Sequence, residues 1–141
     1  MKRILVALDT SPRAAEILAA AVDLARQTGG SLVLYRAVSL PAEMPAFAYS
    51  QAPADIEKLL LEHAEDGIAA MEATLPPELR GGRRTSLAVP WQGICEAAGQ
   101  EHADLIIVGS HGYRGLDRLL GTTAAKVVNH ANVSVLVVKP A

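Results

Sequence analysis

The chain has 141 residues, enough for a single domain that buries a real core. Half of the residues are hydrophobic but only 4% are aromatic, so the core must be built from Ala, Val, Leu and Ile. A mixed, nearly balanced charge of −2 provides no field for nucleic acid or anionic lipid, and the one cysteine, Cys95, excludes an internal disulfide or a cysteine-based metal site. Cys95 itself reads as a small buried apolar residue on a helix.

The chain alternates strand-like and helix-like segments. Arg3–Leu8 is a short apolar run of strand type, ended by Asp9. It is too short for a signal h-region, and no apolar stretch approaches a membrane span, so a cytoplasmic location is expected. Ser11 followed by Pro12 predicts an N-cap with proline at the first helical position. Ala14, Leu18, Ala21, Val22 and Ala25 then share one helical face, and Gly29-Gly30 supplies the stop. Ser31–Val38 is a second strand. Residues 39–53 hold three prolines with Phe47 and Tyr49 and read as an irregular loop.

Ile56, Leu59, Leu60, Ala64, Ile68, Met71 and Leu75 trace one face of a long helix, stopped at Pro76-Pro77. Arg80, Arg83 and Arg84, spaced by Gly81 and Gly82, read as a solvated loop. Arg84–Val89 is a weaker, edge-like strand, and Trp91–Gln100 a short helix. Asp104–Gly109 is the most apolar strand. Thr122–Ala131 is a helix with Val127, Val128 and Ala131 inward. Ser134–Lys139 is a last strand, ended by Pro140. Five strands joined by crossovers predict a single α/β domain spanning 1–141: an open, Rossmann-like parallel sheet with helices on both faces. If the order is 3-2-1-4-5, ligands belong at the carboxyl ends of the first and fourth strands, near Asp9 and Gly109.

The stretch Leu105–Thr123 carries most of the functional signal. An apolar strand ends at Gly109, glycines recur at Gly112 and Gly121, and Thr122 and Thr123 open a helix. Strand, glycine-bearing loop and helix start together can wrap backbone N–H groups around a phosphate. His111 sits inside this loop, within reach of a ligand. A P-loop is excluded because no lysine follows a glycine loop, and Asp9-Thr10-Ser11 replaces the GxGxxG turn. A carboxylate repels phosphate but accepts ribose hydroxyls. Asp9 reads equally well as a sugar acceptor and as a cap of the first helix.

These residues resemble the universal stress proteins over the full length of the chain. The likeness rests on ILVALDTS near the start, ADLIIVGSHG in the middle and KVVNHANVSVLVVKP at the end. The ATP-binding members carry G-x2-G-x9-G-[ST]. Gly109 and Gly112 match its first glycines, and Gly121 with Thr122 matches its close, with eight rather than nine residues between Gly112 and Gly121. The resemblance implies that Asp9 holds ribose, that Val38 meets adenine through its backbone, and that Val108 lines the pocket. Gly109, Gly112, Gly121, Thr122 and Thr123 would take the phosphates of ATP, with or without Mg2+. It further implies a homodimer and a regulatory role in stress survival rather than fast catalysis. Ser134–Lys139, apolar on both faces at a sheet edge, is the expected pairing strand. A slow adenine-nucleotide hydrolase, or an interaction module without nucleotide, are the alternatives.

Overall fold

The computed structural model describes residues 2–39, 53–110 and 120–139. Its strands are β1 (Arg3–Ala7), β2 (Ser31–Val38), β3 (Arg80–Leu87), β4 (Leu105–Gly109) and β5 (Ser134–Val138). Between them run α1 (Ala14–Thr28), α2 (Pro53–Ala73), α3 (Pro90–Gln100) and α4 (Thr122–His130), and a 3-10 turn lies at Pro77–Leu79. All strand pairs are parallel and the order is β3-β2-β1-β4-β5, as expected from the sequence.

Period-two alternation distributes β1, β2 and β4 between two cores. Ile4, Val6, Leu32, Leu34, Leu105 and Ile107 pack with Ile17, Leu18, Ala21 and Ala25 of α1 and Ile68 of α2. On the opposite face Leu5, Val33, Tyr35, Ile106 and Val108 pack with Ile94, Ala97 and Ala98 of α3 and Ala124 and Val127 of α4. The central strands carry unbroken apolar runs, Ile4–Val6, Leu32–Leu34 and Leu105–Val108, because both of their faces are covered there.

Helix α1 begins two residues later than the Ser11 cap predicts. Asp9 Oδ1 accepts the Ser11 N–H at 2.9 Å, and Ser11 Oγ accepts the Arg13 N–H at 3.3 Å. These side chains build a turn of their own, which competes with helix at this point. Arg13 becomes the N-cap, without a side-chain cap bond. The far end follows the sequence: Gly29 takes φ 70°, and its N–H and that of Gly30 both reach the Ala25 carbonyl.

The arginine–glycine stretch differs most from expectation. It is not a loop but the first half of β3, which starts at Arg80 rather than Arg84 and ends at Leu87. Leu32 pairs with Arg80 and Val33 with Gly82, leaving Gly81 as a bulge. A Cβ on Gly81 would stand 3.0 Å from the Leu32 carbonyl oxygen, a tight contact, and Gly82 has φ 128°, a backbone conformation that favours glycine. Nor are the arginines merely solvated. Arg80 donates to the Ala73 and Leu75 carbonyls at the end of α2. Arg83 pairs with Glu65 and Glu72 of α2 at 2.6 and 2.7 Å. Arg84 meets Glu101 at 2.7 Å and Gln100 at 2.8 Å, and Arg3 takes the other Glu101 oxygen at 2.8 Å.

Three smaller expectations change. Leu59 and Val128 do not face the core: they are 56% and 46% exposed. Cys95 is half-buried rather than enclosed, and burial pushes its thiol up from the ordinary value. Among the described residues no helix is long and apolar enough to cross a membrane. The loop expected at 39–53 falls largely outside the described residues, and Pro53 already begins α2.

Candidate functional site

Strand order reverses between β1 and β4. From β1 the chain crosses to α1 on one face, and from β4 to α4 on the other, so their carboxyl ends part into a cleft. A cavity of about 200 Å3 opens there. Ala7, Leu8 and Asp9 line it from the end of β1, Tyr35 and Ala37 from β2, and Val108 and Gly109 from β4. Ile17 of α1, Pro90 and Ile94 of α3 and Thr123 of α4 complete the wall. The wall is mostly apolar, with Asp9, Thr123 and Tyr35 as its polar side chains.

Asp9 sits on the exposed rim. Its carboxylate orders the Asp9–Ser11 turn and does not cap α1, whose N-cap is Arg13. Its carbonyl accepts from Arg36 Nη2 at 3.2 Å. On the other side of the cleft, α4 starts at Gly121, an extended N-cap without a side-chain cap bond. The partial positive charge of this helix terminus therefore faces the end of β4. The Gly121 N–H donates to the Ser110 carbonyl and the Ser110 N–H to the Val138 carbonyl, each at 3.0 Å. Gly109-Ser110 and Gly121 are thus pinned together, and the two ends of the glycine-bearing stretch meet beside the cavity. Ser110 is buried, and its Oγ has no hydrogen-bond partner among the described residues.

Of the residues singled out from sequence, Asp9, Val108, Gly109 and Thr123 share the cavity wall. Gly121 and Thr122 stand at the adjoining helix start. Val38 closes β2 beside the cavity rather than in its wall, and its carbonyl accepts the Ala88 N–H at 3.0 Å. His111 and Gly112 lie outside the described residues.

Sequence reasoning missed Tyr35, Ile17, Pro90 and Ile94 as wall residues. Tyr35 is fully buried, and its hydroxyl shares a 2.6 Å hydrogen bond with Ser86. Burial is the main cause that pushes its phenol above the ordinary value, while the Ser86 bond acts the other way. Its signal was available: Tyr35 follows the Val33 side of β2 by alternation, two residues before Ala37. Pro90, at the first position of α3, marks a helix start at the cleft, which Trp91 alone did not place.

The family model described as the universal stress protein family matches residues 1–139. The chain belongs to this family. Universal stress protein A homolog 1 of Coxiella burnetii is 30% identical over 141 residues, covering 97% of this chain and 95% of the relative. The universal stress protein UspA from Lactobacillus plantarum superposes with a TM-score of 0.76 at 25% identity, covering 98% and 97% of the two chains. Two further solved universal stress proteins are complexes. One is with cAMP, with TM-score 0.60, 25% identity and coverage of 97% and 95%. The other, from Archaeoglobus fulgidus, is with dAMP, with TM-score 0.64, 24% identity and coverage of 99% and 98%. This universal stress protein therefore has the family's open parallel sheet, with the cleft described above at its strand reversal.

Proposed function

We propose that this universal stress protein is an adenine-nucleotide-binding regulator that holds ATP, with residues 1–141 acting as one nucleotide-binding domain. The observation that carries this reading is the cavity between β1 and β4, which gathers Asp9, Val108, Gly109 and Thr123. Its apolar wall suits the faces of a purine, and a carboxylate on its rim suits the donor hydroxyls of ribose. At about 200 Å3 it is smaller than the roughly 300–1,000 Å3 of sites that enclose a whole drug-sized ligand. It matches base and sugar, the phosphates are assigned to Gly109, Gly112, Gly121, Thr122 and Thr123, and His111 is assigned a contact with the nucleotide. Val38 retains the adenine contact assigned to it. Its carbonyl carries two lone pairs, one of them engaged by Ala88. The relative solved with cAMP supports an adenine nucleotide as the ligand class.

Magnesium would arrive with the phosphates. Among the described residues no group of three or more His, Cys, Asp or Glu converges as a cage, and Asp9 is the one carboxylate in the cavity wall. That donor set suits retention of ATP better than rapid turnover. The chain pairs with a second copy through Ser134–Lys139, because β5 is an outer strand with Leu136 39% exposed.

Mass spectrometry of gently purified protein should show carried-over adenine nucleotide, and calorimetry should give ATP binding. Asp9→Ala should weaken that binding by about 1.5–3 kcal/mol, the range for a hydrogen bond to a charged group. Failure of ATP, ADP and AMP alike to bind at millimolar concentration would refute the reading.

A further inference from the structure

Arg36 is half-buried on the face of β2 that Leu32 and Leu34 turn toward α1 and α2. Its Nη2 donates to the Asp9 carbonyl at 3.2 Å and lies 3.8 Å from Met71 Sδ on α2. Its Nε is buried without a partner, and no carboxylate pairs with the guanidinium, both among the described residues. A partly desolvated cation without a counter-ion is costly and calls for an explanation. The helix opposite has been shaped for it. A Cβ on Gly67 of α2 would stand 2.5 Å from Arg36 Nη1 and 3.6 Å from Cζ. Glycine inside a helix is unfavourable, and here it opens the notch that the guanidinium fills.

The main chain needs a hold at this point. The last rung joining β1 to β2 is the Leu8 N–H to the Tyr35 carbonyl, at 2.9 Å. One residue further, Arg36 takes the Asp9 carbonyl, while the Asp9 carboxylate takes the Ser11 N–H. We propose that Arg36, seated in the Gly67 notch, is a positioning residue that fixes the Asp9 main chain and so presents the Asp9 carboxylate to the ribose hydroxyls of a bound adenine nucleoside. This rests on the binding reading above. It adds that α2, which has no residue in the cavity wall, sets how well the site recognises sugar.

The test compares adenosine with 2′,3′-dideoxyadenosine by calorimetry. The wild type should prefer adenosine by roughly tenfold or more, the factor carried by a hydrogen bond to a charged group. Arg36→Met should cut that preference to about threefold or less, with dideoxyadenosine affinity unchanged. Gly67→Ala keeps the charge but displaces the guanidinium, and should act in the same direction while leaving thermal stability equal or higher. Arg36→Lys should restore part of the preference. Asp9→Ala should abolish it, and adding Arg36→Met to Asp9→Ala should do nothing more. An undiminished preference in Arg36→Met and Gly67→Ala would overturn the proposal. If neither nucleoside binds the wild type, the binding reading has failed. The positioning claim is then read from the free protein by NMR: Arg36→Met should shift the Asp9–Ser11 amides and speed Ser11 exchange, and an unchanged turn would overturn it.

Discussion

Gly93 lies in the first turn of α3, directly over the Tyr35 ring. A methyl group there would overlap the Tyr35 hydroxyl and stand 2.9 Å from Ala88 Cβ and 3.3 Å from Tyr35 Cζ. Tyr35 cannot yield easily, because it is fully buried and its hydroxyl is held by Ser86 at 2.6 Å. Gly93→Ala should therefore incur an overpacking penalty of about 1–3 kcal/mol. Loss of the Tyr35–Ser86 bond would add about 0.5–1.5 kcal/mol. The better helix propensity of alanine offsets about 1 kcal/mol of this. The net expectation is a loss of about 0.5–3.5 kcal/mol, a fall in Tm of roughly 2–12 °C for a domain of this size. Urea unfolding followed by circular dichroism measures it. The decisive comparison is the same substitution in a Tyr35→Phe background, where the overlapping oxygen is gone. There Gly93→Ala should cost at least about 1 kcal/mol less, a coupling within the usual range for contacting residues. A rise in stability on Gly93→Ala, or equal effects in both backgrounds, would refute the reasoning.

The Glu101 carboxyl is held below the ordinary carboxylate value, first by its hydrogen bond from Arg84 and then by that from Arg3. The contribution is present above the unfolded value of about 4.3 and is lost as pH falls through the lower native one. Glu101→Gln should thus be less stable than wild type at pH 7, by no more than about 1 kcal/mol because both arginines are over a third exposed, and the gap should close in acid melts below pH ~4. Light scattering should find a dimer, and Leu136→Asp on β5 should give monomers; a wild type at monomer mass at micromolar concentration would reject pairing through this strand. Inserting one leucine after Leu120 restores the family's nine-residue spacing between Gly112 and Gly121. It should raise ATP affinity relative to adenosine, and an unchanged or lower ratio across ATP, ADP, AMP and adenosine would show that the shorter spacing already suits the phosphates.

The sheet was legible because the apolar runs Ile4–Val6, Leu32–Leu34 and Leu105–Val108 are short and alternate with longer helical patterns, which favours buried strands over buried helix. What escaped was decided by side chains bonding to main chain. Asp9 and Ser11 spend their oxygens on a turn, so the helix starts at Ala14. Gly81 and Gly82 read as a loop because a bulge needs the same residues as a turn, and only the pairing of Val33 with Gly82 reveals the strand. The site was half legible. Asp9, Gly109 and Thr123 stand at element ends, where chemistry announces itself. Tyr35 and Ile94 are walls by virtue of which face they occupy, and a lone sequence gives that only after the strand order is known. Arg36 was silent because its partners are a main-chain carbonyl and the absence of a side chain at Gly67.

The two borders of the sheet are built unlike each other. β3 carries a kink at Gly81 and three arginines committed to helices, so a neighbouring chain laid alongside it would meet a broken ladder and displaced charge. β5 is short, keeps an unbroken register with β4 and is aliphatic from Val135 to Val138, with Leu136 exposed. A chain with one receptive border can be joined there once and then offers nothing further to add to. Growth by strand addition terminates at two, whereas a molecule with both borders open could extend without limit into a fibre. The Gly81 kink, which looks like a local irregularity of one strand, thereby leaves the β3 border ill-suited to strand addition.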